Sequence, residues 1–251
     1  MTEYTHFAHV YDAFMEDAPY DAWVSFTNEI CKKYQYAPKT IIDLGCGTGE
    51  IALRLAEKGY RVTGVDMSQD MLTIADQKSQ QKSLSVSWVH QDLRTLSGIE
   101  KMDLAISYCD VMNYITEEDE IEHTMKNIYD CLRPGGMFIF DVHGLQYVEN
   151  DLAEHTFSDV NEQMAYIWNC FGSEVAGEMF HELTFFVKRN ETYARFDEDH
   201  HQRTYETSFY TNKLKSIGFS KVEIYNDFSI KNEKQEEIGE RIFIVAQKQS
   251  R

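Results

Sequence analysis

Asp43-Leu44-Gly45-Cys46-Gly47-Thr48-Gly49-Glu50 places three glycines on alternate positions, between an apolar tetrad and a helical pattern, with a carboxylate at each end. Glycines at such a bend let backbone approach a ligand closely without side chains in the way. The carboxylates narrow the ligand. A dinucleotide fingerprint needs G-x-G-x-x-G, whose third glycine position is here Glu50, and a P-loop needs G-K-[ST] where this chain has Gly49-Glu50-Ile51. Acids on both sides of the bend would repel a diphosphate and hold a group carrying an ammonium.

Two further acids continue the pattern. Asp66, in Val65-Asp66-Met67-Ser68, follows about twenty residues later, where a carboxylate accepts hydrogen bonds from ribose hydroxyls. Asp92, in His90-Gln91-Asp92-Leu93, closes a third apolar run and suits an exocyclic amine beside a flat ring. His143, directly after Phe140-Asp141-Val142, is the candidate general base for removing a proton from an amine or hydroxyl. His200 and His201 adjoin Asp197-Glu198-Asp199, but neighbouring histidines on a strand face opposite ways. No metal site is expected, and the acidic triplet reads as a solvated turn.

The elements that must position these groups follow from periodicity. Thr40–Leu44, Arg61–Val65, Ser85–Val89, Leu104–Ser107 and Met137–Val142 read as strands, separated by helices over Glu50–Lys58, from Ser68 to about Lys78, and over Thr116–Leu132. Such alternation implies right-handed crossovers and a doubly wound α/β sheet of Rossmann-like form. Thr5 to Tyr36 reads as two short helices broken at Ala18-Pro19-Tyr20. After about Asn150 the period falls to two. Met179–Lys188, Thr192–Phe196 and His200–Thr207 form an inserted antiparallel meander, after which helix Phe209–Ile217 and runs Phe219–Tyr225 and Arg241–Ala246 resume the sheet. The expected organisation is an N-terminal helical lid over 1–38, a ligand-binding domain over 39–149 and 208–251, and an inserted β subdomain over 150–207. Tyr166, Trp168, Phe171, Phe180, Phe185 and Phe186 would line an acceptor pocket or fill the insertion's core. Glu233 to Glu237 reads as a surface loop.

Composition sets the outer bounds. The 251 residues are 43% hydrophobic and carry a formal net charge of −18, which permits a sizeable core and disfavours nucleic acid as a partner. Five scattered cysteines without a C-x-x-C pair fit a reduced compartment. No run is long and apolar enough for a bilayer, so no membrane partner and a cytoplasmic location are expected.

Together, Asp43-Leu44-Gly45-Cys46-Gly47-Thr48-Gly49, Asp66-Met67-Ser68, Gln91-Asp92-Leu93 and Leu132-Arg133-Pro134-Gly135-Gly136 resemble the ordered motifs of class I S-adenosylmethionine-dependent methyltransferases. The resemblance spans roughly Lys39 to Val142. It implies S-adenosylmethionine as cofactor and a seven-stranded sheet whose last strand, Arg241–Ala246, runs antiparallel. It also implies that Asp43, Gly45 and Gly47, with Cys46 between them, surround the methionine moiety, and that Asp66 holds the ribose. Met67 would pack on adenine, Asp92 with Leu93 and the preceding Gln91 would meet the adenine edge, and Tyr108 would face the methionine part. The layout outside this core is similar to aminosugar N-methyltransferases and glycine N-methyltransferase-like enzymes, which puts Tyr11 near the sulfonium and gives it, with His143, a catalytic role. The expected activity is methyl transfer to a small-molecule acceptor by a monomer or homodimer. A methyltransferase acting on protein or tRNA, a non-catalytic adenosyl-ligand binder, and more distantly a dinucleotide oxidoreductase are the alternatives.

Overall fold

The computed structural model describes residues 11–231 and 239–250. The sequence-predicted helix beginning at Thr5, with Phe7 and Val10, lies partly outside these residues, as does the surface run from Glu233 to Glu237.

From Lys39 to His143 the period-3.6 and period-2 segments fold where their patterns place them. Helix α1 (Tyr20–Lys33) is entered through Pro19; strand β1 (Thr40–Leu44) leads to α2 (Glu50–Glu57), β2 (Arg61–Asp66), α3 (Gln69–Gln81) and β3 (Val86–His90). β4 (Met102–Ser107), α4 (Glu118–Cys131) and β5 (Leu132–His143) complete the crossovers. Ser68 caps α3, its hydroxyl accepting the Met71 N–H at 3.3 Å. After an antiparallel region of β6 (Thr156–Val160), β7 (Met164–Gly172), β8 (Glu178–Arg189) and β9 (Thr192–Arg203), helix α5 (Thr207–Ile217) leads to β10 (Phe219–Asn226) and β11 (Arg241–Lys248).

The main sheet has seven strands in the order β10-β11-β5-β4-β1-β2-β3. β1 to β5 pair in parallel, while β11 runs antiparallel to both β5 and β10. Its two faces bury alternate residues of each strand. Ile42, Phe138, Phe140, Ile242 and Ile244 enter one apolar cluster with α4 and α5, and Ile41, Met137, Ile139, Phe243 and Val245 enter the other with α1 and α2. A register slip of one residue would exchange these faces, so both covering layers fix the pairing. Each such fully buried side chain contributes about 1.5–3 kcal/mol relative to exposure.

β6 to β9 form a separate four-stranded antiparallel sheet. The acidic triplet is not a turn: Asp197, Glu198 and Asp199 lie inside β9, which pairs with β8 continuously from Thr192 to Arg203. Alternation absorbs the charge, since Asp197 and Asp199 share the outer face and Asp197 accepts from Thr184 at 2.6 Å and Arg195 at 2.9 Å. The meander docks over the carboxyl ends of β4 and β5. Asn113 donates to the Arg203 carbonyl at 2.9 Å, and Thr204 donates to the His143 carbonyl at 2.6 Å.

Candidate functional site

At the bend after β1, all three glycines take positive φ, +75° at Gly45, +53° at Gly47 and +84° at Gly49. Their surroundings differ. A Cβ on Gly45 would sit 2.5 Å from Val111 and one on Gly49 2.7 Å from Trp88, so these two are required for packing. One on Gly47 would meet nothing within 4 Å, which makes Gly47 the glycine that opens onto space for a ligand. Thr48 donates to Asp12 at 2.6 Å, tying the loop to the N-terminal segment.

Asp43 ends up buried directly beneath the bend, at 2% exposure. Its carboxylate takes the Ala52 N–H in the first turn of α2, where the helix dipole favours negative charge. Its Oδ2 has no partner among the described residues. Burial, with Asp66 nearby, pushes the carboxyl up to about 7. Asp66 accepts the N–H groups of Gly47 and Ser68, each at 2.8 Å, and burial raises it too. Each Asp66 oxygen retains a lone pair for a hydroxyl donor. An ammonium placed by this pair would relieve both carboxylates, so the residues present fit a ligand with an amino-acid end.

Glu50 corrects the sequence reading. It forms ion pairs with Arg54 and, at 2.7 Å, with Lys78, which also reaches Asp12 at 2.6 Å. Its charge is spent inside the protein, and the preference for a cation rests on Asp43 and Asp66.

Met67 is 66% exposed beside Asp66, an apolar platform of the kind a flat ring covers. The groups expected at the ring's edge are otherwise engaged. Asp92 caps the short helical turn Leu93–Thr95 and accepts the Arg94 guanidinium at 2.7 and 3.0 Å, which holds its carboxyl below the usual range. Leu93 turns its side chain into the core, and Gln91 exchanges hydrogen bonds with the Ser97 main chain. Cys46 lies against Gly64, so beside the ligand it offers main chain only. Tyr108 is buried, its hydroxyl 2.7 Å from that of Thr27 and its ring against Phe243.

Beyond β4 the chain does something no motif announced. Cys109 and Asp110, neither a glycine, take consecutive positive φ values of +58° and +52°, a conformation that costs on the order of 1–3 kcal/mol per residue and is held only by surrounding contacts. The contacts are ionic. Both terminal nitrogens of Arg241 lie 3.1 Å from Asp110 Oδ1, and Nη1 is also 2.8 Å from Asp141 Oδ2. Trp23 donates to Asp141 at 2.6 Å, and its ring lies under the guanidinium. Asp110 Oδ2 accepts from Gln202 at 3.0 Å and lies 3.5 Å from His143 Nε2. Burial opposes ionisation of Asp110, yet His143 and Arg241 hold its carboxyl well below the ordinary range. His143 thus sits on β5 with an acid behind it. Tyr11 is half-buried nearby, its hydroxyl raised by burial and by the neighbouring Cys109, Tyr20, Tyr114 and Asp110.

Asp110, Asp141, Arg241 and Gln202 were missed from sequence. A signal existed: Asp141 interrupts the apolar run of β5, and a charge inside a buried strand demands a partner. His200 and His201 face opposite sides of β9, His200 reaching the Tyr114 hydroxyl at 3.1 Å and His201 reaching Glu178 at 2.9 Å. The aromatics divide the same way. Tyr166, Trp168 and Phe185 pack around Phe14 on the inner face, while Phe171 and Phe180 stack with His201 on the outer.

A doubly wound sheet with a glycine bend over one buried and one half-buried acid defines an adenosyl-ligand protein of the methyltransferase type, and the comparisons agree. The methyltransferase domain family matches residues 41–136. An inferred methyltransferase of Geobacillus sp. (strain WCH70) is 40% identical over 98% of this chain and 99% of its own length. The crystal structure of an S-adenosylmethionine-dependent methyltransferase from Clostridium acetobutylicum superposes with a TM-score of 0.87 at 29% identity, covering 98% of this chain and 99% of that one. The sugar N-methyltransferase KedS8 from Streptoalloteichus shares the fold, at TM-score 0.80 and 17% identity over 96% of this chain and 93% of its own. The chain belongs to the S-adenosylmethionine-dependent methyltransferases. Its cofactor is S-adenosylmethionine, and its reaction transfers a methyl group to an acceptor. Among the described residues no helix is long and apolar enough to cross a membrane.

Proposed function

We propose that the acceptor is a small molecule presenting an amine or hydroxyl, methylated beneath the roof formed by the N-terminal segment and the inserted sheet. S-adenosylmethionine, when bound, supplies an electrophilic methyl group. The chain's own work is alignment and exclusion of water. Asp43 and Asp66 hold the amino-acid and ribose ends, Gly47 leaves room for them, and Met67 floors the base. The main chain of residues 91–93 borders its edge, with Asp92 holding that turn. His143 removes the acceptor's proton, and Tyr11 closes the cavity from the N-terminal side. Tyr108 acts by packing behind the methionine end.

The observation that carries this reading is the roof itself. The inner face of the meander, lined by Tyr166, Trp168 and Phe185 with Phe14 against them, docks through Gln202 and Arg203 onto the strand ends beside His143. An aromatic face closed over the strand ends suits a compact acceptor. The fold shared with a sugar N-methyltransferase supports the same choice. The net charge of −18 weighs against a polyanion such as tRNA.

A panel of aminosugars, small amines, hydroxylated aromatics, tRNA and protein substrates, assayed for S-adenosylhomocysteine formation, tests it. Turnover is expected with a small amine or hydroxyl compound, falling about 10²–10⁴-fold in His143→Gln with cofactor affinity unchanged. Turnover confined to tRNA or protein sinks the proposal.

A further inference from the structure

The inner face of the meander carries a line of polar groups through its aromatic lining. Trp168 Nε1 lies 3.1 Å from His181 Nδ1, and His181 Nε2 lies 3.1 Å from Gln202 Oε1. Gln202 Nε2 is 3.0 Å from Asp110 Oδ2, the same oxygen that approaches His143 Nε2 at 3.5 Å. The direction of this chain is dictated at one end. An indole nitrogen can only donate, so His181 Nδ1 accepts and the proton of the neutral ring sits on Nε2. The Nε2–H then donates to the Gln202 carbonyl, which turns the Gln202 amide nitrogen toward Asp110. Each group has one orientation compatible with its neighbours.

Stability alone gives no reason for the chain. His181 and Gln202 are 4% and 2% exposed, and a buried polar group left without a partner costs about 1–3 kcal/mol. Nor is Gln202 needed to neutralise Asp110, because Arg241 already does so through Oδ1. What Gln202 adds is control of the other oxygen, the one facing His143. Burial lowers His181 to about 4, so the ring stays neutral and its donor order persists at physiological pH.

We propose that His181 and Gln202 are positioning residues for His143: they orient Asp110 Oδ2 to take the Nε2 proton of neutral His143, leaving Nδ1 as the nitrogen that receives the acceptor's proton. This rests on His143 as the base. The inserted sheet thereby sets the chemistry of a residue on the main sheet as well as covering it.

The test is the tautomer of each ring, read at about pH 8 from two-bond ¹H–¹⁵N correlations of the full chain labelled on histidine nitrogen, with His143→Gln and His181→Gln assigning the signals. In the wild type both rings should be Nε2–H tautomers. Gln202→Met should convert His143 to a mixture containing Nδ1–H, and Trp168→Phe should release His181 and move His143 with it. His201→Gln, on the outer face of the same strand, should move neither. A wild-type His143 in the Nδ1–H form, or one unchanged in Gln202→Met, overturns the proposal; if Trp168→Phe does not fold, Gln202→Met alone decides. No acceptor is needed for these spectra, so they separate from the turnover assay. Full turnover in His143→Gln would remove the base, whereas an unmoved spectrum would remove only the positioning role.

Discussion

The glycine bend and the Asp110–His143 cluster lie at the same edge of one sheet, yet they are built in opposite ways. The bend is assembled from residues close together in sequence, Asp43 to Ala52 with Asp66 one crossover later, and its hydrogen bonds are mostly to main chain. The cluster gathers Trp23, Asp110, Asp141, His143, Gln202 and Arg241 from five elements, and its bonds run between side chains. The difference separates two demands. A cofactor common to a large family is met by backbone geometry that many sequences can encode, whereas the cluster proposed to serve the acceptor is made of side chains brought from far apart.

Arg241→Met should have the largest effect. It leaves the Asp110 and Asp141 carboxylates buried without their shared cation, a loss of about 3–5 kcal/mol in denaturant unfolding; a loss under 1 kcal/mol would show that the cluster is not tightly coupled. Gly45→Ala adds backbone strain to a collision with Val111 and should cost about 2–3 kcal/mol. Gly47→Ala, with open space around it, should cost about 1 kcal/mol of stability while weakening cofactor binding. Equal stability losses at the two glycines would break the distinction between a packing glycine and a ligand glycine. Asp66→Ala should weaken S-adenosylhomocysteine binding by about 1.5–3 kcal/mol in calorimetry. Unchanged affinity would remove Asp66 from the site.

The smallest effect concerns pH. Because the folded protein raises Asp43 to about 7, from an ordinary carboxyl value near 4, the folded state binds this proton more tightly than the unfolded state. Its contribution is therefore full below about pH 4 and is lost as pH rises toward 7. Asp43→Asn should accordingly raise the melting temperature of the ligand-free protein more at pH 8 than at pH 5, while reducing cofactor affinity. A larger gain at pH 5 would reverse the sign and refute a buried, strained carboxylate. Within the comparison, this separates an acid proposed to serve a ligand from Asp110, whose partners are already in place.

Legibility followed the same division. The alternating strands and helices from Lys39 to His143 and the change to an antiparallel insertion after them were readable because each is set by local periodicity or a short motif, while the antiparallel direction of the last strand came from the family resemblance. The misread triplet Asp197-Glu198-Asp199 shows the limit of that reading. Charges on a strand are tolerated when one face is wet, and composition alone does not reveal which face that is. Glu50 fails for a related reason: its charge was visible, but Lys78, twenty-eight positions away, was not visible as its partner. Leu93 and Cys46 occupy motif positions with their side chains turned away, since a motif specifies backbone path more tightly than rotamer.

Residue order alone determined the sheet, its glycine bend and the acids at the ends of the first two strands, because spacing along a strand or a single crossover determines where such groups fall. Only the folded chain decided which carboxylates are spent on internal cations and which stay available. It alone joined Trp168, His181 and Gln202 to Asp110 and His143. Electrostatic and hydrogen-bond partnerships act across distances of a few ångströms, and for residues a hundred positions apart those distances come into being only when the layers pack.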